Sequence, residues 1–210
     1  MRTLHSLAFA IPFLTAVLNA HGLTLNARDC GAAGDGVQLD TPAIQAAVDQ
    51  CAAAGGGTVL LESGTYLSGT IYLRSKVTLR IAAGATLLGS TNISDYPHNI
   101  SAIRSYTDNY VKQSLIAGED LDQVGLVGDG MIDGQGGSFV RHRERPYENR
   151  PYLIRLVNCR DVRVEGLRLR NSAMWMQHYL ACERVTVRGI HVWNFSNANN
   201  DGIDLDGCKD

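Results

Sequence analysis

From Cys159 onward the chain repeats itself at a spacing of 23 residues. Val162, Val164, Gly166, Leu167, Leu169 and Asn171 return as Val185, Val187, Gly189, Ile190, Val192 and Asn194, and Cys159 returns as Cys182. A third copy opens at Leu205-Asp206-Gly207-Cys208-Lys209-Asp210. A fixed period of this kind marks stacked units that cannot bury their apolar faces alone. Within the unit the apolar residues alternate, which is the period of a strand and not of a helix. Val162, Val164, Leu167 and Leu169 are expected to face inward, with Arg163, Glu165, Arg168 and Arg170 in water. Gly166 falls where one strand turns a corner into the next, a place that suits a residue without a Cβ. The unit is shorter than a strand-helix-strand crossover, which takes about 30 residues or more. It suits one coil of a parallel β-helix, each strand pairing with its equivalent one coil on.

Upstream, Asp40 or Thr41 can cap a helix with Pro42 at its first position. Ile44, Ala47, Val48 and Cys51 sit at helical spacing before Gly55-Gly56-Gly57. An amphipathic helix over 42–54 is therefore expected to lie across the open first coil. Strands follow at Thr58–Leu61, Thr70–Leu73, Val77–Ile81 and Thr86–Leu88. Residues 90–114 break the pattern as a loop, and such excursions often build one wall of a groove. Residues 139–150 form a second, charged loop, whose Arg141, Arg143, Arg145 and Arg150 read either as solvated or as a wall for an anionic substrate. No linker interrupts 23–210, so one domain is expected.

Arg2, the apolar run Leu7–Leu18 and the small residues around Ala20 and Gly22 read as a secretory signal peptide over 1–22. The run is too short to span a membrane. The expected location is extracellular, with no membrane association after signal removal. A formal net charge of −2 and the absence of any Lys/Arg-rich run argue against nucleic acid as partner. Five Cys in a secreted chain invite disulfides. Cys30 and Cys51 are the candidate pair, whereas Cys159, Cys182 and Cys208 share one coil position and read as a ladder of free thiols. Asn92, Asn99 and Asn194 open N-glycosylation sequons.

Chemistry concentrates in Asn199-Asn200-Asp201-Gly202-Ile203-Asp204-Leu205-Asp206. Ile203 and Leu205 are expected to face the core, and Asp204 and Asp206 to face out. Strict alternation sends Asp201 inward, and Gly202 can bend it back to the surface. A carboxylate at a strand mouth on a rigid scaffold suits acid/base chemistry or water activation; Asn, Asp and Gly also gather in turns for conformational reasons alone. His178, beside Trp175, is a candidate substrate contact, with corner packing as the alternative. Trp175 and Trp193 read as sugar-stacking or packing residues.

Several segments in order resemble glycoside hydrolase family 28, the polygalacturonase and pectin-hydrolase family, in its exo-acting or bacterial-like branch. They are Cys30–Gly36 with Ala43–Val48, Gly64–Gly69, Ala83–Gly89, Gly130–Gly136, Asn171–His178 and Asn199–Gly202. Phe139 stands where the family signature runs on to Trp, and Ala173 where Pro is usual. The resemblance implies an all-β, right-handed parallel β-helix that hydrolyses pectic polysaccharide, polygalacturonan or rhamnogalacturonan, with inversion. Inversion uses carboxyl groups about 6.5–9.5 Å apart to admit water. Asp201 matches a water-activating carboxylate, and Asn199 and Asp204 hold it or the sugar. No cofactor and no metal are implied, and a monomer is expected at full length. The family's Asp-Asp pair, Gly-His-Gly and Arg-x-Lys do not appear after Asp201, so the 210 residues are expected to be an N-terminal portion that is inactive alone. A Ca²⁺-dependent β-helix polysaccharide lyase and a non-catalytic polysaccharide-binding β-helix are the competing readings.

Overall fold

The computed structural model describes residues 22–106, 111–139 and 148–210. The signal-peptide segment ahead of Gly22 and the loop residues Arg141, Arg143 and Arg145 lie outside the described residues. The chain winds as a parallel β-helix. Strands β1 (Leu23–Asn26) and β2 (Asp35–Leu39) lead into helix α1 (Thr41–Ala53). Five coils of three strands follow. They are β3 (Gly57–Leu61), β4 (Gly64–Ser68) and β5 (Ile71–Tyr72); then β6 (Val77–Ile81), β7 (Ala85–Gly89) and β8 (Ser114–Glu119). Next come β9 (Asp122–Val127), β10 (Met131–Asp133) and β11 (Tyr152–Val157), then β12 (Arg160–Glu165), β13 (Arg168–Arg170) and β14 (Gln177–Leu180). The last coil is β15 (Glu183–Arg188), β16 (His191–Trp193) and β17 (Asp204–Asp206).

Equivalent strands stack into three parallel sheets. The first runs β1-β3-β6-β9-β12-β15, the second β2-β4-β7-β10-β13-β16, and the third β5-β8-β11-β14-β17. The register repeats the sequence period: Val162 pairs with Val185 and Val164 with Val187. Inward residues therefore stack in columns. Val59, Leu79, Leu126, Val164 and Val187 form one. Tyr66, Leu87, Ile132, Leu169 and Val192 form another. Burying each such side chain contributes roughly 1.5–3 kcal/mol. The predicted alternation holds: Val162, Val164, Leu167 and Leu169 are buried, and Arg163, Arg168 and Arg170 are exposed.

Helix α1 occupies the third-strand place of the first coil. Ile44, Ala47, Val48 and Cys51 enter the core. On the same helix the Gln45 side chain satisfies the free edge of β5, accepting from Tyr72 N at 2.8 Å and donating to Tyr72 O at 3.0 Å. The cap chemistry differs from expectation. Asp40 is the N-cap residue, but its side chain makes no cap hydrogen bond. It turns instead into the preceding glycine-rich turn and accepts from Ala33 N and Gly34 N.

The Cys30–Cys51 bridge expected from the sequence is not formed, and both thiols are free. Each has another partner: Cys51 Sγ donates to Thr58 O at 3.6 Å, and Cys30 Sγ accepts from Gln50 Nε2 at 3.7 Å. Cys159, Cys182 and Cys208 are free as well and bond to carbonyls of the neighbouring strands.

Candidate functional site

Both loop excursions leave between a second-sheet strand and a third-sheet strand, after β7 and after β10. They therefore rise on one flank of the third sheet. On the outer face of that sheet Ala117, Arg155, His178 and Asp204 stack in register. Glu119, Val157, Leu180 and Asp206 form the adjacent column. Asp201 stands at the mouth of β17 and is exposed, so Gly202 does release it from the inward position that alternation assigned. Its backbone carbonyl still accepts from Met176 N at 2.8 Å, and Gly202 O accepts from Gln177 Nε2 at 2.9 Å.

The run ahead of Asp201 is pinned residue by residue. Asn197 Nδ2 donates to Phe139 O at 2.8 Å. Arg150 donates to Ala198 O, and its Nε donates to Ala173 O at 2.8 Å. Asn194 Nδ2 donates to Asn200 O and to Ser172 Oγ, while its Oδ1 accepts from Ser172 N. Asn199 takes the left-handed conformation at φ 53°, which Asn tolerates better than most residues. It is exposed beside Asp201.

The Asp204 carboxyl is pushed up to about 6, first by burial and second by the neighbouring Asp201 carboxylate. Asp204 Oδ2 and Asn200 Nδ2 are buried and have no hydrogen-bond partner among the described residues. Uncompensated polar atoms of this kind are rare in folded chains and call for a functional explanation. The aromatic wall above them is Tyr106 against Trp175 at 6.2 Å, with Tyr152 at 6.0 Å from Trp175. Among the described residues no three His, Cys, Asp or Glu side chains group closely enough to hold a metal ion.

Several expected roles change. His178 is fully buried, so it is not a substrate contact. Its ring packs 5.4 Å from Tyr152 and 5.2 Å from Trp175, and its Nε2 lies 3.8 Å from Asp206 Oδ2. Asn194 is not presented for glycosylation, because both hydrogens of its amide are committed inside the fold. Asn92 is exposed, with its Oδ1 accepting from Ser94 N, and Asn99 is half-buried. Ile203 and Leu205 do turn toward the spool interior, Leu205 in register with buried Tyr179, yet they remain 46% and 62% exposed. They line a cavity of about 460 Å³ with Val185 and Val187, because no described strand pairs with the outer edges of β15 and β17. Arg150 and Arg155 were not singled out as buried residues, yet both are, with the Arg155 guanidinium 5.6 Å from the Tyr152 ring centroid. Arg150 just ahead of a wholly buried strand, β11, and Arg155 within it were the available signal.

Residues 51–210 match the family model described as Glycosyl hydrolases family 28. A probable polygalacturonase of Vitis vinifera is 34% identical over 95% of this chain and 42% of its own length. An exo-poly-alpha-D-galacturonosidase of Dickeya chrysanthemi is 36% identical over 59% of this chain and 21% of its own length. Among solved structures, the family 28 exopolygalacturonase of Yersinia enterocolitica superposes with a TM-score of 0.73 at 26% identity, covering 87% of this chain and 40% of that one. The chain thus spans less than half the length of these relatives.

Proposed function

The chain belongs to glycosyl hydrolases family 28, and on that premise we propose that it serves an extracellular enzyme that hydrolyses the α-linked uronate backbone of pectin with inversion. The observation that carries this reading is the pairing of an exposed Asp201 with the half-buried Asp204, both held on the walled face of the third sheet. Asp201 activates water. Asp204 keeps a proton into the mildly acidic range, so it donates a hydrogen bond to the sugar instead of repelling its carboxylate. Asn199 contacts the substrate from the same loop, and Trp175 and Tyr106 offer ring faces to the pyranose. The names of the Vitis and Dickeya relatives support a galacturonan substrate.

A polypeptide of these 210 residues is proposed to bind the polymer without turning it over, since the family's Asp-Asp pair, Gly-His-Gly and Arg-x-Lys do not occur in it after Asp201. Secretion rests on the segment from Arg2 to Gly22, and a monomer is the working state.

The test sets this polypeptide and any longer product of its gene side by side on polygalacturonate. Reducing ends without ultraviolet absorbance from an unsaturated sugar mean hydrolysis, and NMR of the first product reads the anomer. Asp201→Asn is expected to lower the rate by on the order of 10²–10⁴-fold. Unsaturated products, retention of configuration, or full activity in Asp201→Asn would overturn the reading.

A further inference from the structure

The second sheet carries another surface whose residues the groove does not use. Val192 pairs with the buried Leu169, so Trp193, one residue on, shares the outer face with Arg170. Trp193 is 61% exposed and Phe195 is 77% exposed. Their rings meet edge to face at 5.1 Å. Trp193 points outward, away from the interior of the last coil, and β16 that carries it is the edge strand of the second sheet among the described residues. Adjoining aromatic rings left in water are candidates for a binding surface.

Beside Phe195 lies an open cavity of about 500 Å³, lined in part by Asp133, Gln135, Asn171 and Ser196. That volume lies in the range of small-molecule sites. Its floor is rigid. Asn171 Nδ2 lies 3.0 Å from both Asp133 carboxylate oxygens, Asn171 Oδ1 accepts from Ser196 Oγ at 3.2 Å, and Asp133 Oδ1 accepts from Gln135 N at 2.9 Å. Arg170 is in register with both Asp133 and Trp193, is exposed, and makes no ion pair with a described residue.

We propose that this face is a second carbohydrate site, separate from the Asp201 groove, that takes a pyranose chain bearing carboxylates. The apolar C–H faces of the sugar lie on Trp193 and Phe195. Asp133 accepts its hydroxyls, and the Arg170 guanidinium holds one of its carboxylates. The site holds polymer on the flank of the spool whether or not the groove hydrolyses it.

The chain has two tryptophans, one at each site, so they report separately. The full chain is labelled with 5-fluorotryptophan and titrated with hexagalacturonate, and with maltohexaose as a neutral oligomer of equal length, by fluorine NMR. Trp193→Phe assigns the two resonances. The Trp193 resonance is expected to shift saturably with hexagalacturonate. Phe195→Ala is expected to weaken that binding about tenfold. Arg170→Gln is expected to weaken hexagalacturonate about three- to fivefold and leave maltohexaose unchanged. A silent Trp193 with a responding Trp175 would overturn this site and leave the groove reading standing. The reverse pattern supports this site and counts against the groove. Equal losses for both oligomers in Arg170→Gln would overturn the assignment to carboxylate-bearing sugars.

Discussion

The guanidinium of Arg150, 1% exposed, donates to the carbonyl of Ala198, three residues ahead of Asp201. Its Nε reaches Ala173 O, so one buried side chain ties the second loop, the segment after β13 and the run into Asp201 into a single unit. Arg150→Met keeps much of the packing volume but leaves the buried Ala173 carbonyl and the partly buried Ala198 carbonyl without this donor. That costs about 2–4 kcal/mol. The melting temperature is expected to fall by about 5–12 °C, and amides around 197–200 are expected to exchange faster than those of β12. A variant that melts with the wild type, with 197–200 equally protected, would show that the loop holds itself.

Asp204 makes stability depend on pH in a stated direction. Its folded-state value, about 6, lies above the ordinary carboxylate value of 3.8. Ionising it therefore costs the folded state more than the unfolded one. The penalty is full above the folded value, shrinks as pH falls from about 6, and is gone below the ordinary value. Asp204→Asn is expected to stabilise the chain at pH 7.5 and to change little near pH 4, as read from urea midpoints at the two pH values. Carbon-detected NMR titration should show the Asp204 midpoint falling part of the way in Asp201→Asn, because the like charge goes while the burial stays. An unmoved midpoint in that variant would assign the shift to burial alone.

The spool was legible because its signal is local. Alternation in 160–170 and its return 23 residues later fixed which residues enter the core and which strands pair, and Val162 does pair with Val185. Helix α1 followed from spacing and from Pro42. Strand β4, Gly64–Ser68, was absorbed into turns because Gly and Ser bound it on both sides. Of the candidate site residues, Asn199, Asp201 and Asp204 lie together at the mouth of β17, as their closeness in the chain requires. His178 and Arg150 are buried by rings and carbonyls from other coils and loops, contacts that no run of neighbouring residues encodes. Asn194 matched a sequon, a rule of three residues, but its amide is spent on Ser172 and Asn200.

Thiol chemistry tests the absent bridge. Burial pushes both the Cys51 and the Cys208 thiols up; Cys51, Cys159 and Cys182 are buried, whereas Cys30 and Cys208 are partly exposed and reachable. Reactivity follows thiolate fraction and access. Alkylation of the native chain without reductant is expected to label Cys30 and Cys208 first, and urea without reductant should then expose all five cysteines. Three labelled residues in urea, with Cys30 and Cys51 joined in the peptide map, would restore the disulfide.

Gly166 and Gly189 occupy the same corner one coil apart, and the coil beneath each decides what a side chain would cost. Gly166 has φ 76°, and a Cβ built on it would lie 2.5 Å from Gly128 O, a backbone atom that cannot turn aside. Gly189 has φ 62°, and its nearest neighbour would be Gly166 N at 3.9 Å. Alanine at Gly189 therefore meets only the left-handed conformation, about 1–2 kcal/mol. Alanine at Gly166 meets the same conformation and must also separate two hydrogen-bonded coils, for a total of about 3–5 kcal/mol. Urea unfolding of the two variants should rank Gly166→Ala well below Gly189→Ala. Equal losses would mean that the corner, and not the stacking of one corner on the next, sets the demand for glycine.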